Sequence, residues 1–151
     1  MLVWRVCQKK YSAFNGEGSR RASGRWHRQG TSIIYTSDTL ALAALEYFVR
    51  LNPGDSDVSL VTVSASIPDT IRVRRVRVKD LPKDWYAYPA PEILQEIGVK
   101  WAEPAETALL AVPSAIIPQQ TNYLINPNHR DFKRIRLNTP EDFNFDPRVW
   151  K

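Results

Sequence analysis

The stretch Ser32–Leu51, SIIYTSDTLALAALEYFVRL, predicts a short strand followed at once by a helix. Its first five residues are rich in β-branched side chains, which favour a strand. Ser37 or Asp38 then offers an N-cap oxygen for a helix that begins at Thr39 or Leu40. The helix is apolar nearly all round, a pattern typical of a buried helix, so we expect the fold to be built around it.

A single carboxylate, Glu46, interrupts the apolar surface of this helix between Leu42 and Val49. An unpaired carboxylate among apolar side chains is costly unless a cation or a hydrogen-bond donor meets it. One interpretation is an ion pair with Arg50, four residues later at a partly wet edge, worth about 0.3–0.5 kcal/mol. The other is that Glu46 has a function, and spacing alone does not decide between the two.

The composition sets wide limits on function. The chain of 151 residues suits one domain, 1–151, with a net charge of +5 that favours a nucleotide, a nucleic acid or an acidic protein as partner. No apolar run approaches the ~18 residues of a membrane helix and the start lacks a signal-peptide pattern, so we expect a cytoplasmic protein without a membrane partner. One cysteine, Cys7, excludes an internal disulfide, and with two histidines in the chain we predict no metal site.

Arginines precede the quoted stretch in two places. Leu2–Cys7 alternates as an opening strand and places Arg5 on a face shared with apolar side chains. Residues 9–30 hold four of the six glycines and four arginines, which suits either a phosphate-binding loop or a flexible solvated one. Neither GxGxxG nor Walker spacing is present. Within this segment Arg25 precedes Trp26, a donor fork beside an aromatic plane that suits a flat, charged ligand.

The rest of the chain alternates between short apolar segments and turns. Strands are predicted over 58–65, 71–78, 107–112, 115–117, 122–125 and 132–137, and a second helix over 91–97 that ends before Gly98. About seven strands against two helices predict an α+β fold with mixed β-sheets. The aromatic residues of the tail, 141–151, are expected to cover the core.

The strand 71–78 carries the strongest signal for nucleic-acid binding, the four arginines Arg72, Arg74, Arg75 and Arg77. No aromatic residues alternate with them, so a solvated sheet face is the more usual explanation. A basic, non-enzymatic nucleic-acid-binding module nevertheless remains the alternative hypothesis from a different functional class.

Several motifs in order along the chain resemble the RES domain, the toxin half of bacterial RES–Xre toxin–antitoxin pairs. They are Trp4-Arg5, Gly24-Arg25-Trp26 followed by Gly30, Tyr35 eleven residues before Glu46, Leu81-Pro82 with Trp85, Val112-Pro113-Ser114-Ala115, and Leu124-Ile125-Asn126-Pro127 with His129. The resemblance covers nearly the whole chain. Ser23 and His27 stand where the family pattern has glycine and asparagine, which restricts the backbone and removes a candidate amide hydrogen bond.

This resemblance implies an ADP-ribosyltransferase-like fold and an enzyme that breaks the bond between nicotinamide and ribose in NAD. NAD would be the substrate, with no further cofactor, and would be hydrolysed or phosphorolysed, or would supply ADP-ribose to a protein. The implied partner is an Xre-type antitoxin with a helix-turn-helix domain, through which alone the chain would meet DNA. A homo-oligomer within that complex is also compatible with the resemblance.

The resemblance also gives the candidate residues roles that fit their chemistry. Glu46 would stabilise an oxocarbenium-like state and hold a ribose hydroxyl. Arg5 or Arg25 would bind the pyrophosphate or ribose side through its donor fork. Tyr35 would stack on the nicotinamide ring, and Ser114 would donate to a ribose or amide oxygen.

Two further residues complete the expected substrate-binding set. Trp26 would offer the aromatic plane beside Arg25. Asn126 would contact the ligand, although an Asn before a Pro is also a common turn residue. His129 is expected to be structural.

Overall fold

A computed structural model, which describes residues 1–150, contains one mixed sheet of eight strands and three α-helices. The strands are β1 (Leu2–Gln8), β2 (Ile34–Ser37), β3 (Leu60–Ser66), β4 (Val73–Arg75), β5 (Leu109–Pro113), β6 (Thr121–Ile125), β7 (Arg136–Leu137) and β8 (Glu141–Phe143). The helices are α1 (Glu17–Arg21), α2 (Leu40–Phe48) and α3 (Glu92–Ala102). The sheet order is β4-β5-β6-β2-β1-β3-β7, with β8 also pairing with β3. Only β4 and β5 run parallel, and the expected α+β fold with few helices is confirmed.

The quoted stretch forms β2 and α2 at the middle of this sheet. β2 pairs with β6 on one side and β1 on the other, and α2 packs on β1 and β2. The helix begins at Leu40 as predicted, but the N-cap is Thr39, whose hydroxyl accepts from the Leu42 amide at 3.1 Å. The predicted caps were wrong because Ser37 still belongs to β2.

The two faces of the sheet carry separate apolar clusters, since successive side chains of a strand point to opposite faces. Ile34 packs into the first cluster and Tyr35 against the second. The first cluster includes Val3, Cys7, Val63, Leu109 and Ile125, and the second includes Trp26, Leu94, Trp101, Leu110 and Leu124. The position of a side chain along β2 therefore decides which face it serves.

The prediction of α2 as a buried helix was too strong. Only Leu42 and Ala43 are buried. Its C-terminal end is instead covered by the tail, where Phe145 has its ring centroid 5.6 Å from that of Phe48, and Trp150 lies 5.7 Å from the same ring. The expectation that the tail aromatics cover the core is therefore met at one end of α2.

Three predicted strands differ from the structure. Residues 115–117 form a turn, because the amides of Ile116 and Ile117 donate to the Ser114 hydroxyl and not to a neighbouring strand. Of residues 132–137, the first three end a short 3-10 helix, Arg130–Arg134, and only the last two form a strand, β7. The basic strand 71–78 shrinks to β4, the outermost strand of the sheet.

The second predicted helix also differs, because α3 continues through Gly98. A Cβ built on Gly98 would lie 1.6 Å from the carbonyl oxygen of Trp26, so glycine is required for close packing and does not end the helix. None of the helices in residues 1–150 has the length and apolar composition that a bilayer crossing requires.

Candidate active site

Glu46 projects from α2 towards the ends of β5 and β6, where two side chains donate to it. The Ser114 hydroxyl donates to Glu46 Oε1 at 2.8 Å and the Asn122 amide nitrogen donates to the same oxygen at 2.6 Å. Oε2 receives no hydrogen bond from residues 1–150 and is not among the buried unpaired atoms, so it is open to solvent. The carboxylate is thus fixed at one oxygen and available at the other.

Ser114 lies in the turn after β5 and is 0 % exposed. Its hydroxyl donates to Glu46 and accepts from the amides of Ile116 at 3.1 Å and Ile117 at 3.2 Å. A hydroxyl can donate only one hydrogen bond, and Ser114 donates it to Glu46. The structure therefore makes Ser114 a positioning residue for Glu46, in place of the expected donor to a ribose or amide oxygen.

Asn122 and Ser37 form a second support that the sequence did not suggest. They are register partners in β6 and β2, and the buried Ser37 hydroxyl donates to Asn122 Oδ1 at 2.7 Å. This contact turns the amide nitrogen of Asn122 towards Glu46. The only signal in the sequence was that Asn122 alternates with Leu124 and so shares its inward face.

Arg25 reaches the site from the loop of residues 22–28, hereafter the Arg25 loop. One guanidinium nitrogen donates to the carbonyl of Trp85 at 2.8 Å. Burial lowers the pKa of Arg25, and the electrostatic influence of Glu46, followed by that of Tyr35, raises it again. Arg25 is thus a half-buried cation whose charge interacts with that of Glu46 without a direct ion pair.

The Arg25 loop packs against α3, which fixes its backbone. Gly98 lets the helix approach the backbone of Trp26, and the Gln95 side chain donates to the Gly24 carbonyl at 3.1 Å. Gly24 itself has no room for a side chain, because a Cβ there would lie 2.6 Å from the His27 ring. Close packing on both sides thus fixes the position of the Arg25 backbone.

Tyr35 and His27 form a buried polar chain beside the site. His27 Nε2 lies 2.7 Å from the Ala22 carbonyl, which can only accept, so Nε2 carries the proton and Nδ1 accepts from the Tyr35 hydroxyl at 2.6 Å. The Trp26 amide donates to the same hydroxyl at 3.3 Å. Burial raises the pKa of Tyr35 and lowers the pKa of His27, so both stay neutral. The His27 imidazole thus links the Tyr35 hydroxyl to the Ala22 carbonyl.

Three candidate residues are not brought to Glu46. Arg5 shares its face of β1 with Val3 and Cys7, on the opposite side of the sheet from Tyr35, and donates to the Ala13 and Tyr11 carbonyls. Trp26 is 2 % exposed and packs in the second apolar cluster, where no ligand can reach its ring.

Asn126 is buried at the far end of β6, about 13 Å along the strand from Asn122. Its amide donates to the Ala102 carbonyl and its oxygen accepts from the Asn128 amide. These contacts make it a turn-capping residue.

Two surface depressions lie away from Glu46. One is lined by Gln8, Lys9, Lys10, Val58 and Ser59, and the other by Ser66, Ile67, Pro68, Arg134 and Arg136. Neither contains a residue of the Glu46 site.

Comparison with known proteins identifies the family. A model of the RES domain matches residues 2–146 of the chain. This protein belongs to the RES domain family. The RES domain therefore accounts for nearly all of the described structure, including every residue of the Glu46 site.

Curated relatives of this RES domain carry toxin names. The Prs ADP-ribosylating toxin of Sphingobium sp. (strain YBL2) is 36% identical over 152 residues, covering 97% of this chain and 94% of the relative. Toxin Res of Photorhabdus laumondii is 33% identical over 155 residues, covering 100% of this chain and 98% of the relative. Toxin Res of Pseudomonas putida is 34% identical over 152 residues, covering 99% and 100%.

A solved structure shares the fold. The Mycobacterium tuberculosis MbcT–MbcA toxin–antitoxin complex superposes with a TM-score of 0.78 at 16% identity, covering 95% of this chain and 84% of the chain compared. At that identity the likeness concerns the fold alone. The RES domain described here is thus an α+β protein related in sequence to bacterial toxins.

Proposed function

We propose that this RES domain is the toxin of a toxin–antitoxin pair and that it breaks the nicotinamide–ribose bond of NAD. The observation that carries the proposal is the Glu46 carboxylate, which Ser114 and Asn122 fix at Oε1 and which is open at Oε2. The charge of the Arg25 guanidinium acts on the same carboxylate. A fixed carboxylate with one free oxygen suits a sugar that becomes cationic during reaction.

The chemistry needs little besides this carboxylate. As the C1′–N bond of NAD breaks, the bonding electrons leave with nicotinamide, which departs as a neutral molecule and needs no general acid. The ribose becomes oxocarbenium-like, and Glu46 stabilises that charge and accepts from a ribose hydroxyl through Oε2. A nucleophile then bonds to C1′, and its proton passes to the solvent. Arg25 is placed to bind the anionic part of the dinucleotide.

The nucleophile defines two versions of this function. Water or phosphate would make the protein an NAD glycohydrolase or phosphorylase, which depletes NAD. A protein side chain would make it an ADP-ribosyltransferase, and the name of the Sphingobium relative supports that version. Both versions share the first bond cleavage.

An antitoxin partner is part of the same proposal. The solved structure that shares the fold contains a toxin together with its antitoxin. We infer a cognate antitoxin of the Xre type, and its expected source is a neighbouring open reading frame that encodes a small helix-turn-helix protein. Co-expression of that protein should relieve growth inhibition by this chain.

Release of free nicotinamide tests the enzymatic proposal. Purified protein is incubated with NAD, with and without phosphate, and products are identified by mass spectrometry. We expect Glu46→Gln to lower kcat by about 100-fold or more, because glutamine keeps the acceptor for Ser114 and Asn122 but loses the charge. Glu92→Gln, an exposed residue of α3, is the matched control and should turn over normally.

Two results would overturn the proposal. One is a folded wild-type protein that releases no nicotinamide at any protein concentration. The other is a Glu46→Gln variant as active as the wild type. Salt-dependent binding to DNA or RNA without turnover would favour the alternative of a nucleic-acid-binding module through the exposed arginines of the β4 region.

A further inference from the structure

Arg50 is a cation at the Glu46 site that takes no part in the hydrogen bonds described so far. It follows Glu46 by four residues, and the helical path continues past the end of α2 because Val49 has αR angles and the Arg50 amide donates to the Tyr47 carbonyl. Residues four apart on a helical path lie on the same side. Arg50 therefore projects on the side of α2 that carries Glu46.

The ion pair between Arg50 and Glu46, one of the two interpretations of the spacing, is not formed. Glu46 Oε1 is taken by Ser114 and Asn122, and among residues 1–150 Arg50 has no carboxylate within ion-pair distance and no side-chain hydrogen bond. The Arg50 side chain is exposed. Among the described residues, none of the five N–H groups of the Arg50 guanidinium is occupied, so all five could bind a ligand. In Arg25 one N–H group already donates to the Trp85 carbonyl.

Arg50 and Arg25 act on the same tyrosine. Burial raises the pKa of Tyr35, the positive charges of Arg50 and Arg25 lower it, and the negative charge of Glu46 raises it. The charge of Arg50 also lowers the pKa of His27, after the larger effect of burial. The charges that act on Tyr35 are thus two guanidinium groups and one carboxylate, an excess of positive charge.

We propose that Arg50 binds the diphosphate of the dinucleotide substrate, together with Arg25, while Glu46 holds the ribose. The inference rests on the proposed function. A free guanidinium fork matches phosphate oxygens and gives charge-assisted hydrogen bonds. Four residues of helical path separate Arg50 from Glu46, about 6 Å along the axis, which suits neighbouring ribose and phosphate groups.

A structural role for Arg50 predicts a different outcome. A cation just past the C-terminus of a helix stabilises the macrodipole, and its loss would weaken the fold without regard to substrate. The test must therefore separate an effect on phosphate from an effect on the helix.

The test compares NAD with nicotinamide riboside, which has the same bond to break but carries no phosphate. We expect Arg50→Gln to raise KM for NAD by about tenfold or more with kcat changed less than about threefold, since charge-assisted hydrogen bonds to the diphosphate are lost. Its kcat/KM for nicotinamide riboside should equal that of the wild type. The matched control is Arg72→Gln, at an exposed arginine near β4, which should leave kcat and KM unchanged for both substrates.

Calorimetric binding of ADP-ribose keeps the inference testable apart from turnover, because ADP-ribose has the diphosphate but no bond to cleave. Arg50→Gln should raise the Kd for ADP-ribose by about tenfold or more relative to wild type. An unchanged KM and Kd, an equal loss with both substrates, or no ADP-ribose binding by wild type would overturn the role of Arg50. Absence of nicotinamide release by a wild-type protein that binds ADP-ribose through Arg50 would instead overturn only the proposed reaction.

Discussion

At the scale of single residues, the two oxygens of Glu46 have different surroundings because Ser114 and Asn122 both donate to Oε1. Ser114→Ala removes one donor and leaves two turn amides without an acceptor in a fully buried position. We expect the free energy of unfolding to fall by about 1–3 kcal/mol and kcat to fall more than KM rises. Urea unfolding and nicotinamide release measure the two effects.

The control for that prediction is Ser56→Ala, at an exposed serine without a side-chain hydrogen bond among the described residues. It should leave both quantities unchanged. A Ser114→Ala protein with wild-type stability and kcat would contradict the positioning role.

His27 gives the fold a dependence on pH. Burial lowers its pKa, and Nδ1 must stay unprotonated to accept from Tyr35. A group with a depressed folded pKa contributes stability above its unfolded value of about 6.5, and loses it as pH falls through the folded value. We therefore expect Tm to fall as pH drops below about 6.5, the unfolded value.

A His27→Gln variant checks that assignment by differential scanning fluorimetry across the same pH range. The variant should lose much of the dependence on pH while being less stable at pH 7, because Gln replaces only part of the hydrogen-bonded chain. An equal decline in Tm for wild type and variant would show that another group titrates.

The sequence predicted part of this site for physical reasons. The spacing of α2 and the family resemblance identified Glu46, Arg25, Tyr35 and Ser114, which the structure brings together. Asn122 was missed because its contact depends on the register of β6 with β2, which is set by pairing across the sheet. Alternation in β1 predicted that Arg5 shares a face of the sheet with Val3 and Cys7. It could not predict that α2 packs on the opposite face.

At the scale of elements, the contact between α3 and the Arg25 loop is tight enough to predict the effect of one methyl group. Gly98→Ala would place Cβ 1.6 Å from the Trp26 carbonyl oxygen. We expect a loss of about 1–3 kcal/mol in stability and a fall in NAD turnover, because the loop must move. Thermal unfolding and nicotinamide release of the purified variant test this.

Gly18→Ala is the matched control, since a Cβ there meets nothing within 4 Å and Gly18 lies inside α1. It should be neutral or stabilise by up to about 1 kcal/mol. Equal effects of the two substitutions would show that the α3 contact is not tight.

Element types were easier to predict than their ends. Alternation located β1, and short apolar segments bounded by turns located β3, β5 and β6. The turn at 115–117 was missed because β-branched residues follow Ser114 and favour a strand locally, whereas the Ser114 hydroxyl captures their amides. Gly98 was taken as a helix end because glycine is common there, although packing was the actual reason for it.

At the scale of the whole molecule, the tail closes over α2 through an aromatic cluster centred on Phe145. Its ring lies 5.1 Å from Phe143, 5.6 Å from Phe48 and 5.8 Å from Trp150. We expect Phe145→Ala to lower the free energy of unfolding by about 1–3 kcal/mol, less than for a fully buried ring because Phe145 is half-buried. Tyr88→Ala, at a side chain 93% exposed, should have no measurable effect in the same urea titration.

The distance in sequence between Glu46 and its two donors has a consequence for biosynthesis. Ser114 and Asn122 follow Glu46 by 68 and 76 residues. A nascent chain that has been synthesised up to residue 113 contains Glu46 but lacks both Ser114 and Asn122, which orient its carboxylate. We expect prematurely terminated translation products of this length to be harmless to the cell, so that toxicity begins only with nearly complete synthesis.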